Sequence, residues 1–141
     1  MSVAPFTQPR KGAEFLHKAH QLLATAITYR NQQRHDLALE YAYQAGLRTA
    51  AARIAASPVA HRVRKPTSAW AQLRLVDAEG RVDADAAGWA DALEQYSRLR
   101  SRVGSGIEAT VSVETVDTMV DLVSKFLNSV EFDNDDTPAA A

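Results

Sequence analysis

The chain has 141 residues, a formal net charge of −1 and 46% apolar residues, one domain's worth of ordinary globular composition and too apolar for a disordered chain. With no cysteine, disulfide staples, zinc ribbons, thiol catalysis and redox motifs are excluded. The longest run free of Asp, Glu, Lys and Arg, Ala19 to Tyr29, has 11 residues and is too short to span a bilayer. Met1 to Arg10 holds two prolines and no apolar core, so it does not read as a signal peptide, and a reducing cytoplasm is the expected compartment.

Alanine, the best helix former, accounts for 26 residues, and no segment shows sustained apolar/polar alternation. Residues 1–10 are expected to be disordered. A first helix is expected from about Lys11 to Tyr29, with Phe15, Leu16, Ala19, Leu22, Leu23, Ala26 and Ile27 at the i, i+3, i+4, i+7 spacing of one buried face. A polar turn, Asn31 to Arg34, leads to a second helix from about His35 to just before Pro58. That helix is apolar nearly all round, apart from a stripe of Asp36, Glu40, Gln44 and Arg48. It is therefore either central in a bundle or shared with a second subunit. Gly46 inside it costs about 1 kcal/mol against alanine, which close approach of another helix would justify.

The connection from Ser57 to Asp83 carries the basic run His61, Arg62, Val63, Arg64 and Lys65. Within it Ser68 caps a short helix bearing Trp70, Leu73 and Val76, expected to plug one end of the core. A third long helix is expected from about Asp85 to Val103, stopped by Gly104-Ser105-Gly106. A fourth starts near Ser112, with Val113, Val116, Val120, Val123, Leu127 and Val130 buried. The expected architecture is all-α: a four-helix up-and-down bundle over residues 11–131, with a long connection between helices 2 and 3 containing one short extra helix. Residues 132–141 are expected to form a disordered acidic tail.

Charge divides the chain. Residues 1–65 carry ten Lys/Arg against three Asp/Glu, and residues 66–141 carry six against fourteen. Either two hairpins of opposite sign attract, within one chain or between subunits, or the basic half is a nucleic-acid surface. In an antiparallel bundle the first turn and the end of the third helix share one pole. Arg30, Arg34 and His35 would then approach Arg98 and Arg102 as a phosphate-binding pole, with Tyr29 as a stacking face for a single-stranded base. The second basic patch, His61, Arg62, Arg64 and Lys65, would sit at the opposite pole beside the acidic tail, which would screen it. His17 and His20, with Glu14 a turn earlier, have helical metal-ligand spacing but no matching cluster elsewhere, and read as a solvated face. Neither a cofactor nor a metal is called for.

The segments Phe15-Leu16-His17-Lys18-Ala19 and Asp36 to Ala45, followed later by Ser68-Ala69-Trp70 and two amphipathic helices, resemble the HEPN superfamily, and within it an actinobacterial branch with no assigned activity. The resemblance implies a helical bundle, often dimeric, that binds RNA, nucleotides or protein partners. Nuclease members carry an Arg-x4–6-His motif, in which imidazole moves the 2′-hydroxyl proton and guanidinium steadies phosphorane-like charge. Arg30-x4-His35 and Arg10-x6-His17 match that spacing, but the number of matches is close to chance placement, and nuclease members carry the motif later in the bundle. The expected function is a non-catalytic HEPN-like module that binds RNA, a nucleotide or a protein partner as a homodimer. The alternatives are a metal-independent ribonuclease using Arg30 and His35, or a purely structural interaction module.

Overall fold

The computed structural model describes residues 7–78, 85–108 and 110–135. Among them are five α-helices: α1 (Thr7–Asn31), α2 (His35–Ala55), α3 (Ala69–Ala78), α4 (Ala86–Gly104) and α5 (Val113–Asp135). One turn of 3₁₀ helix, Pro58–His61, lies between α2 and α3, and no described residue is in a strand.

Hydroxyl caps set several starts. Ser68 Oγ accepts from the amides of Trp70 (3.2 Å) and Ala71 (3.3 Å) at α3, and Ser112 Oγ accepts from Thr115 N–H (3.1 Å) at α5. α1 begins ahead of the expected Lys11, because Pro9 falls in its first turn, where its missing N–H interrupts no helical bond. α5 likewise continues past residue 132, to Asp135. The expected disorder of the extreme termini, residues 1–6 and 136–141, lies outside the described residues.

Ion pairs fix the directions. Arg30 near the end of α1 meets Asp117 in the second turn of α5 (3.6 Å), while His20 Nε2 and Glu131 Oε2 lie 2.6 Å apart. α1 and α5 are therefore antiparallel. Arg100 near the end of α4 binds Glu40 early in α2, while Leu93 lies opposite Gly46, so α4 is antiparallel to α2. The ends of α1 and α4 and the starts of α2 and α5 share one pole. Two of these pairs, Arg30–Asp117 and His20–Glu131, join the basic first half to the acidic second half within one chain.

α2 is the centre. It packs along α1 on one side and against α5, α3 and α4 on others. Ala38, Leu39, Ala42, Tyr43, Ala45, Thr49, Ala50 and Ile54 are all buried by these neighbours. One arc of its apolar surface is thus satisfied inside the chain, while Leu37, Tyr41, Leu47, Ala51 and Ala55 stay half-buried.

Three expectations are corrected. The short helix is no end plug: α3 packs along α4 and against α2, burying Trp70, Leu73 and Val76, so the described core counts five helices rather than four. Val113 is exposed, because it is the first residue of α5 and precedes the turn that reaches the core. Met119 and Phe126 take buried positions instead, and half-buried Trp89 stacks on Phe126 at 5.1 Å. This stacking, rather than close backbones, bridges α4 and α5. A Cβ added at Gly46 would lie 3.5 Å from Leu93 Cδ2 and from Val123 Cγ2, so the crossing is close but leaves room for a methyl group.

Candidate nucleic-acid interface

The turn between α1 and α2 is built by the last residues of α1. Arg34 N–H donates to Tyr29 O (2.8 Å) and Gln33 N–H to Arg30 O (2.9 Å), with Gln33 at φ +62°. This is a Schellman motif with glutamine in the left-handed position that glycine usually takes. α4 ends the same way at the same pole: Ile107 N–H donates to Arg102 O (2.9 Å), Gly106 N–H donates to Val103 O (3.1 Å), and Gly106 is at φ +82°.

The motif carries Arg34 back over α1. Its guanidinium carbon lies 5.9 Å from the centre of the Tyr29 ring, a cation–π arrangement. Tyr29 in turn packs on Tyr41 of α2, with ring centroids 5.5 Å apart and planes tilted by 32°. Arg34 is exposed and both tyrosines are half-buried, so the turn presents a charged, aromatic-backed surface. No ion pair to Arg34 is present among the described residues.

The other expected members of this pole are dispersed or engaged. Arg30 is held by Asp117, and Arg102 donates through Nε to Glu108 Oε1 (3.3 Å). His35 opens α2 half-buried, without a hydrogen-bond partner among the described residues. Arg98 lies elsewhere, lining a cleft of about 430 Å³ between α3 and α4 with Arg74, Asp91, Glu94, Gln95 and Ser97. In that cleft Arg74 donates to both Asp91 (2.8 Å) and Glu94. These bonds raise its pKa above the ordinary arginine value.

The second basic patch is a surface loop. His61, Arg62, Arg64 and Lys65 are all exposed, and Val63 between them is 99% exposed. Lys65 Nζ donates to Ala60 O (3.3 Å), which steadies the loop against the 3₁₀ turn. The side chains of the acidic tail, from residue 133 onward, lie outside the described residues. His17 is exposed and His20 is occupied with Glu131. Among the described residues, no group of three or more His, Asp or Glu side chains is arranged to hold a metal.

The best-built polar cluster was not foreseen. Arg100 donates from Nε (2.7 Å) and Nη2 (2.9 Å) to the two Glu40 oxygens, and Gln44 Nε2 donates to Glu40 Oε2 (2.6 Å). The Arg100 guanidinium lies 4.8 Å over the Tyr43 ring, and Tyr43 Oη accepts from Trp70 Nε1 (2.9 Å). The chain Gln44–Glu40–Arg100–Tyr43–Trp70 ties α2, α4 and α3 together. The hydrogen bonds from Arg100 hold the Glu40 carboxyl below its ordinary range against the opposing effect of burial. The signal was present in sequence: Arg100 is one turn past Tyr96 and next to Leu99, on the inward edge of α4, whereas Arg98 and Arg102 are not.

The described residues form an all-α domain in which α2 packs against α1, α3, α4 and α5. The chain belongs to the HEPN_SAV_6107-like HEPN family, whose model matches residues 29–131. The match begins at Tyr29, so it takes in the α1–α2 turn and α2 to α5 but leaves most of α1 outside. No curated protein and no solved structure matches the chain. Among the described residues, no helix is long and apolar enough to cross a membrane.

Proposed function

We propose that this protein is a non-catalytic HEPN module that binds single-stranded RNA through the α1–α2 turn. The observation that carries the reading is Arg34, exposed, without an ion-pair partner among the described residues, and laid against the Tyr29 ring. A guanidinium held this way meets a phosphate, while the tyrosine edge and the guanidinium plane offer a surface on which a base stacks. Arg30, paired with Asp117, and His35 flank the contact. A homodimer and a protein partner remain part of the family expectation.

Ribonuclease chemistry with Arg30 and His35 is the weaker reading. Arg30 is engaged with Asp117, and His35 has no partner among the described residues to set its tautomer. A general base in a working site is normally oriented by a third group. The test is one panel: single-stranded RNA incubated with the protein, scored for retention and for cleavage. Retention that falls with salt, without cleavage, is expected. Cleavage abolished by His35→Ala establishes the nuclease instead, and neither retention nor cleavage leaves a purely structural module.

A further inference from the structure

Resting on that reading, we infer that the RNA site extends from the α1–α2 turn along the outer face of α2, so that the protein holds an extended strand and not a single nucleotide. α2 is buried on one arc, through Ala38, Ala42, Ala45, Gly46, Thr49 and Ala52. Its other arc runs through Leu37, Tyr41, Gln44, Arg48, Ala51 and Ala55, none of them buried. On this arc Tyr41, Arg48 and Ala55 recur every seven residues and so stand nearly one above another, and Arg34 immediately precedes the helix at its turn end.

Charge along the line favours a polyanion. Arg48 is exposed, with no ion pair or hydrogen bond to its side chain among the described residues. Of the two carboxylates on α2, Glu40 is neutralised by Arg100 and Asp36 lies in the first turn, about three turns from Arg48. Beyond Ala55 the chain passes through the 3₁₀ turn into the loop bearing Arg64 and Lys65, which prolongs the basic character toward the far pole. At about 1.5 Å per helical residue, Arg34 and Arg48 are about 21 Å apart along the axis. At the stacked spacing of about 3.4 Å per nucleotide, a strand touching both covers about six nucleotides. The half-buried Tyr41 ring lies between the two arginines as a stacking surface.

The experiment compares a labelled uridine trimer with a labelled uridine dodecamer, bound to the intact chain and to its Arg48→Gln and Arg34→Gln variants across a salt series. Arg48→Gln is expected to weaken the dodecamer several-fold and to reduce its log–log salt slope by about 0.7, the loss of one phosphate contact on a single strand. The trimer, too short to reach Arg48, is expected to bind this variant as it binds the parent. If the dodecamer responds to Arg34→Gln but not to Arg48→Gln, the extended track is wrong and the turn site stands. If neither oligonucleotide binds the parent chain, both readings fall.

Discussion

Arg34 is bound to Tyr29 twice, once by its backbone amide on the Tyr29 carbonyl at 2.8 Å and once by its guanidinium, 5.9 Å from the ring centre. The backbone bond belongs to the helix-terminating motif, so the position of the exposed cation follows from how α1 ends. The motif places glutamine, with its Cβ, at φ +62°.

Gln33→Gly should therefore stabilise the protein by about 0.5–1 kcal/mol, as relief of the left-handed penalty exceeds the extra chain entropy of glycine. Gly106→Ala, at the equivalent position after α4, should destabilise by about 1 kcal/mol. Urea unfolding midpoints of the two variants check both signs.

At Gly46 the available space decides the outcome. A methyl group fits at 3.5 Å from Leu93 and Val123, so Gly46→Ala should be neutral or stabilising by up to about 1 kcal/mol through helix propensity. Gly46→Leu forces the crossing apart and should cost about 1–3 kcal/mol. Thermal melts of both variants separate a crossing that requires glycine from one that merely contains it.

The Glu40–Arg100 pair carries a pH dependence of defined sign. The folded-state pKa of Glu40 lies below its ordinary value of 4.5, so the unfolded chain takes up the proton first as pH falls. The pair's contribution is complete above about pH 4.5 and disappears as pH drops through the folded value. Denaturant midpoints of the parent and Glu40→Gln should differ at pH 7 and converge in acid. A difference that persists unchanged into acid would show that the carboxylate is not the source of the stability.

The Trp70 indole N–H is buried and has Tyr43 Oη as its acceptor. Tyr43→Phe removes the acceptor and leaves that donor unpaired, at a cost of about 1–3 kcal/mol. Trp70 reports on its own environment, and its fluorescence should shift in Tyr43→Phe. An unchanged spectrum and unchanged stability would show that the hydrogen bond is dispensable.

Much of the fold could be read from periodicity and punctuation. The α2, α4 and α5 starts, the Ser68 cap and the glycine stop after α4 are local features, determined within a few residues. The path of Arg100 and the burial of Met119 and Phe126 were not read, because they depend on which edge of a helix meets a neighbour. A valine-rich 3/4 pattern on α5 drew the buried stripe too narrowly and included Val113, the exposed first residue of the helix. The basic pole was partly legible: Arg34, His35 and Tyr29 gather at the turn, but Arg98 points into the cleft beside Arg74. Arg30 and Arg102 meet carboxylates whose positions only the tertiary fold determines.

The central claim, that the α1–α2 turn holds single-stranded RNA, is tested most directly by fluorescence anisotropy of a dodecamer against Arg34→Gln, with Lys125→Gln on the exposed side of α5 as the control. Loss of the stacked guanidinium should weaken binding by about tenfold, at about 1.4 kcal/mol per decade, while the control binds as the parent does. Equal affinity for the parent and Arg34→Gln would contradict the account.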